Sequence, residues 1–221
     1  MERQVKRKDR SHRVALAVCV YAASVAAFFA VRYSAVYGSN RWIVALPAIV
    51  AAVFTLLHYR RGGIFIPLAL VASAAGDLMG AQRIFIAQVA YFALAHIFYI
   101  VDFGRMASWS GRRLRVVALA VVTGGYLWLI LSHMSSAVEM AAVGVYGVII
   151  FLMAACAVTQ SRRHAVWYAV AALLFVVSDA MIVFNKYVGA IPYEDELVMI
   201  TYYAAQGIFA YLMIGREISS D

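Results

Sequence analysis

A chain of 221 residues that is 65% hydrophobic and 14% charged, with a mean hydropathy of +0.83, has too little polar surface to clothe a soluble globule. Its formal charge of +8 does not indicate a nucleic-acid partner, because the basic residues stand in short clusters between apolar runs, as charges flanking membrane spans do. The composition predicts an all-α, polytopic membrane bundle. Cys19 and Cys156 both fall inside apolar runs, where a thiol is usually a small buried hydrophobe and says nothing of redox compartment.

Residues 1–13 form a basic tail, with Arg3, Lys6, Arg7, Lys8, Arg10 and Arg13 set against Glu2 and Asp9. The first apolar run, Val14–Val31, exceeds the usual ~7–15-residue core of a signal peptide and is followed by further runs, so it reads as a retained helix. Those further runs are Trp42–Leu57, Ile64–Leu78, Ile84–Phe103, Leu114–Leu131, Ala137–Val158, Ala165–Phe184 and Leu197–Gly215. Most approach the ~20 residues that cross ~30 Å of hydrocarbon, the second and third being short. One domain of eight transmembrane helices over residues 14–215 is expected, with a short C-terminal tail at 216–221. Placing the first tail in the cytoplasm puts fifteen basic residues on that side and only Arg32, Arg41, Arg83 and Lys186 opposite. That bias predicts both termini inside. The Ala-, Val- and Arg-rich usage points to a bacterial plasma membrane.

Two acids interrupt the apolar runs: Asp77 in the third and Asp179 in the seventh. A carboxylate within hydrocarbon costs roughly 2.5–3.5 kcal/mol on insertion scales, so it is tolerated where it faces partners or a wet cavity. Both runs head outward, and each acid lies about 20 Å from its cytoplasmic end at ~1.5 Å per residue. The two acids therefore share a level. The run after each returns inward with polar residues of its own: Gln88, Tyr91, His96 and Tyr99 on one broad face, then Thr201, Tyr202, Tyr203 and Gln206. A small residue before an acid, followed by a helix bearing Gln and Tyr, thus occurs twice.

Each of these residues also has a plainer reading. Tyr33, Tyr37, Trp42, Tyr187 and Tyr193 fit interfacial aromatic belts, a lone His96 in an apolar helix fits a hydrogen-bonded packing residue, and the small residues of Ala72–Gly76 fit close helix contacts. The aspartates themselves can serve as interhelical hydrogen-bond acceptors. No His-x-x-x-His and no Cys/His cluster is present, so no metal or cofactor is expected.

Four segments carry a family resemblance: Ala74-Ala-Gly-Asp-Leu-Met79; Phe92-x-x-x-His96-x-x-Tyr99; Leu174-Phe-Val-Val-Ser-Asp179 with Asn185-Lys186; and Met199-Ile-Thr-Tyr-Tyr-Ala-Ala-Gln206. In this order they resemble the YhhN-type lysoplasmalogenases. The second run has Leu46-Pro47 where that family often shows Lys-Pro. The resemblance implies an eight-helix membrane hydrolase that cleaves the vinyl ether of lysoplasmalogens to a fatty aldehyde and a glycerophospho-base. It implies two essential aspartates, matching Asp77 and Asp179, and a lysophospholipid substrate drawn from membrane lipid. Tyr91, His96, Tyr202, Gln206 and Asn185 are the expected substrate-binding or orienting residues. Two carboxyls suit the chemistry, since one must begin protonated to protonate the vinyl ether carbon and the other ionised to stabilise the oxocarbenium ion and deprotonate water. Asp179, with the more apolar neighbours, is the preferred acid. A proton-coupled transporter or lipid-moving protein would also need intramembrane aspartates, and a metal-dependent ceramidase-like hydrolase would need histidines that this chain does not group.

Overall fold

A computed structural model describes residues 2–34, 36–58 and 63–219, with side chains over 12–34, 36–58 and 63–215. The elements are α1 (Glu2–Arg32), two short 3-10 turns (Tyr37–Ser39 and Arg41–Ala45), α2 (Leu46–Leu57), α3 (Phe65–Ala81), α4 (Phe85–Gly104), α5 (Arg113–Ser132), α6 (Ala137–Val158), α7 (Ala165–Tyr187) and α8 (Glu194–Ser219). Among the described residues six helices are long and apolar enough to cross a membrane; Arg41–Leu57 and Phe65–Ala81 are shorter. The protein is an all-helical integral membrane protein.

Local chemistry explains where the helices begin and end. The expected tail is helical from Glu2, since Glu, Arg, Gln and Lys are good helix formers and no Gly or Pro interrupts the chain before Gly38. The side chains of Arg3, Lys6, Arg7, Lys8 and Arg10 lie outside the described residues, as do Arg60, Arg61 and the side chain of Arg216. Pro47 stands in the first turn of α2, where its missing N–H is no loss, and the 3-10 turn before it replaces the helix start expected at Trp42. At α6 the Ser136 hydroxyl accepts from the Glu139 amide at 3.4 Å, with Glu139 in the positive first turn.

The most extensive helix contacts are α3 on α4 and α7 on α8, followed by α4 on α6. Helix α2 packs on α3 and on α8, and α1 closes against α2 and α8. Helix α5 stands outside this ring, touching α6 and the edge of α7. Its outward side chains are bare, Val121 being 71% and Trp128 73% exposed. On a soluble protein such a surface would drive association; here lipid covers it. Hydrocarbon is as apolar as these side chains, so the helices associate through close packing and interhelical hydrogen bonds rather than escape from water.

Both ends of the bundle are tied. At one, Ser108 N–H donates to Thr159 O at 2.8 Å, Ser161 N–H donates to Met106 O at 2.9 Å and Arg112 reaches Thr159 O at 2.6 Å, stitching the α4–α5 and α6–α7 loops together. At the other, Arg32 pairs with Asp195, Tyr33 OH donates to Glu196 at 3.1 Å and Lys186 pairs with Glu139 at 2.8 Å.

Candidate active site

The two aspartates meet in one buried centre built from α3, α4, α6, α7 and α8. Asp77 is 5% exposed and Asp179 6%, and they lie within electrostatic reach of each other. Gly76, just before Asp77, lets α3 sit against the Phe92 ring: a Cβ there would meet three of its carbons at 3.2 Å. Phe92, Phe175 and Tyr202 then pack edge to face, with centroids 5.3–6.2 Å apart, close to the preferred geometry of aromatic pairs.

Asp77 accepts a hydrogen bond from the Tyr202 hydroxyl at 2.9 Å. Asp179 accepts from the Tyr146 hydroxyl and lies 3.3 Å from His96 Nε2, which is also 2.9 Å from the Tyr146 oxygen. Tyr146 has one hydroxyl hydrogen and gives it to Asp179. The Nε2 contacts are then to two acceptors, so the imidazole carries its proton on Nε2. Phe175 packs against the imidazole at 4.6 Å. One turn away, Tyr99 OH donates to Gln206 Oε1 at 2.8 Å.

Three buried polar atoms here have no hydrogen-bond partner among the described residues: His96 Nδ1, Gln206 Nε2 and Ser73 Oγ, the last one turn before Asp77. The Gln206 nitrogen lies close enough to the Tyr202 hydroxyl to act on it, without bonding geometry. Leaving such groups unpaired costs about 1–3 kcal/mol each, so they are well suited to a small polar reactant such as water. Neighbouring contacts hold Asp179 in place: Ser178 Oγ donates to Val198 O at 3.3 Å, and Tyr126 OH donates to Ala180 O at 2.5 Å.

The structure thus brings Asp77, Asp179, His96, Tyr202 and Gln206 together. It does not bring Tyr91 or Asn185. Tyr91 points outward on α4 and is 39% exposed, and the Asn185 carbonyl oxygen instead accepts the Ile191 amide at 2.9 Å, closing the loop after α7. Gln88 folds onto α3 at Gly80, where a Cβ would meet its Nε2 at 2.7 Å. Thr201 returns its hydroxyl to Leu197 O at 2.8 Å. Tyr146 was not marked by the sequence, because one tyrosine in the apolar α6 carries no sign of a partner 33 residues away. Among the described residues no three His, Cys, Asp or Glu side chains form a metal-holding group.

The protein is thus an all-helical membrane bundle with two buried carboxyls at its centre, held by hydroxyls and an imidazole. The chain belongs to the YhhN family, which it matches over residues 40–212. It is 31% identical to human "Lysoplasmalogenase TMEM86B" over 167 residues, covering 74% of this chain and 70% of that protein. It is 33% identical to bovine "Lysoplasmalogenase TMEM86A" over 179 residues, 76% and 72% of the two chains. The human "Lysoplasmalogenase TMEM86A" is 32% identical over 167 residues, 71% and 67% of the two chains. No solved structure matches the chain.

Proposed function

We propose that this protein hydrolyses the vinyl ether bond of lysoplasmalogens, releasing a fatty aldehyde and a glycerophospho-base, by acid–base catalysis at Asp77 and Asp179. The observation that carries this reading is the pair of buried, interacting aspartates held by neutral donors, in a chain whose relatives are named lysoplasmalogenases.

The partners divide the roles. Hydrogen bonds donated to a carboxylate favour its charged form. Asp179 faces two donors, Tyr146 and His96, while Asp77 has the Tyr202 hydroxyl. Asp77 is therefore the acid and Asp179 the anion, the reverse of the preference drawn from apolar neighbours alone. Asp77 protonates the vinyl ether carbon remote from oxygen, making an oxocarbenium ion that the Asp179 carboxylate stabilises. Water adds to the carbon bonded to oxygen as Asp179 takes its proton; the hemiacetal then collapses as Asp179 returns that proton to the departing glycerol oxygen and the hemiacetal hydroxyl gives its own to Asp77, leaving aldehyde and glycerol hydroxyl and both acids as they began. His96 Nδ1, Gln206 and Tyr202 orient water and the glycerol oxygens.

Reaction in heavy water should place one deuterium on the carbon next to the aldehyde, and labelled water should deliver its oxygen to the aldehyde. The rate should fall as pH rises and Asp77 loses its proton, and fall again at low pH as Asp179 gains one, giving a bell. Fatty acid released from an ester lysolipid at a comparable rate, with no deuterium in any aldehyde, would overturn the reading. A proton-coupled transporter is less well supported: α7 and α8 run unbroken over Ala165–Tyr187 and Glu194–Ser219, without the interruptions that mark transporter binding sites. Aldehyde release by purified protein without a gradient separates the two.

From composition and the charge bias of the connectors we further propose a bacterial plasma membrane, eight spans and both termini in the cytoplasm. Labelling a cysteine at 194 from outside, while one near the C-terminus stays protected, checks that topology.

A further inference from the structure

On one flank of the bundle, α1, α2, the start of α7 and α8 enclose a cavity of about 610 Å³, within the ~300–1,000 Å³ of small-molecule sites. Its walls are apolar, with Ala17 from α1, Ala51 and Phe54 from α2 and Ala210 from α8. Val18 and Trp167 at its rim are exposed, so it opens sideways toward lipid. Its two ends along α8 are Tyr203 and Ile214. At ~1.5 Å per residue these lie about 16 Å apart, half of the ~30 Å hydrocarbon core and hence the reach of one leaflet's chains.

The Tyr203 end abuts the aspartate centre. Tyr21 OH donates to the Tyr203 carbonyl at 2.6 Å, and the Tyr203 ring lies 5.3 Å from that of Tyr202, the residue bonded to Asp77. Tyr21 and Tyr203 are both within electrostatic reach of Asp77. Tyr21 rests against α8 at Gly207, where a Cβ would meet its ring at 2.7 Å. The absence of a side chain at 207 is what gives Tyr21 its place against α8, in the cavity wall on the side of the acid.

We infer that this cavity holds the hydrocarbon chain of a single-chain ether lipid, with Tyr21 as the partition that moves aside when the chain's reactive end reaches Asp77. The inference rests on the vinyl ether reading above. The reacting bond joins the chain to glycerol, so a bond placed at Asp77 sends the chain toward His164 and Ile214, and the headgroup toward the opposite end of the bundle, where Arg32 pairs with Asp195. Ala17, Val18 and Tyr21 precede the residues that match the family. Chain-length preference is thus set in part by a helix outside that match.

Two experiments on the purified full-length protein test this. A saturated alkyl ether lysolipid carrying a diazirine at its chain terminus should, on illumination, label α1 around Val14–Val18 and α8 around Ala210–Ile214. Label spread over the outer face of α5, or distributed evenly, overturns the inference. In the second, Val18→Phe narrows the mouth from an exposed position and Ala17→Phe fills the cavity from a buried one, with thermal unfolding of both variants measured alongside. Each should lower kcat/KM for a long-chain vinyl ether lysolipid by roughly 10–100-fold, the cost of displacing a few buried methylenes, and leave a short-chain one nearly unchanged. Equal losses on both chain lengths, or none on either, count against the cavity. Should the unmodified protein cleave no vinyl ether at all, the proposed activity falls, while the labelling pattern still decides whether a chain lies here.

Discussion

Asp102 and the Asp77–Asp179 pair are almost equally buried and are held in opposite ways. Asp102, at the stitched end of α4, meets the Arg162 guanidinium, whose Nη1 donates to its carboxylate at 2.6 Å and whose Nη2 donates to its carbonyl at 2.8 Å. A guanidinium never gives up its proton in a protein, so the Asp102–Arg162 pair is a fixed strut. Asp77 and Asp179 meet hydroxyls and an imidazole, and among the described residues no lysine or arginine pairs with either. None of these partners is a permanent cation, so they fix position while leaving the carboxyl's own proton free to move. In a membrane bundle the partner, more than the burial, separates an acid used as a strut from one available for chemistry.

Substitutions that cut across this contrast should show it. Asp77→Asn and Asp179→Asn should each remove ~10²–10⁴-fold of vinyl ether turnover while thermal unfolding in detergent stays unchanged or rises, because a buried acid is removed. Near-normal turnover in either would make that acid a strut as well. Asp102→Asn should do the converse, lowering stability by about 3–5 kcal/mol as Arg162 loses its counterion, with turnover per folded molecule retained. Next in size, Tyr146→Phe removes a donor to Asp179 and should cost turnover about 10-fold, the worth of one hydrogen bond to a charged group, with helix content kept; an undiminished rate would take Tyr146 out of the site. The smallest effects belong to residues outside the centre. Tyr91→Phe should alter stability by no more than about 0.5 kcal/mol with turnover unaffected, and Asn185→Ala should cost about 1 kcal/mol of stability through the Ile191 amide alone.

How much of this was legible beforehand depended on which physical signal each feature carries. Hydropathy marks apolar runs, and all eight appear as helices, Ala137–Val158 with the expected limits. Helix ends do not announce themselves by apolarity, so α7 continues past Phe184 through Asn185, Lys186 and Tyr187, and α8 begins at Glu194, whose acids suit a positive first turn. The common level of Asp77 and Asp179 followed from counting residues along two runs that head the same way. The direction of a side chain around its helix did not follow, since it depends on which helix lies alongside. Tyr91 and Tyr202 look alike in sequence, and only packing turns one to lipid and the other to Asp77. Tyr146 was invisible for a related reason: α4 and α6 are spatial neighbours across an intervening helix, and no local pattern records that adjacency.

That intervening helix carries a consequence for how freely the chain can be rewritten. Because the α4–α5 and α6–α7 loops are stitched to each other, the α5–α6 hairpin departs from and returns to nearly the same place, and its outer arm is α5. Its rotational phase is held by few contacts: Ile130 is buried, Leu127 lies against α6 at Gly147, where a Cβ would meet it at 3.1 Å, and Tyr126 reaches the carbonyl of Ala180 beside Asp179. Lipid asks of the remaining outward residues only that they be apolar. A replacement α5 of unrelated apolar sequence that keeps those three residues in register should leave the site assembled, whereas sliding the same helix by a single position would turn Tyr126 about 100° away from Ala180 and reach the aspartate centre from the outermost element of the fold.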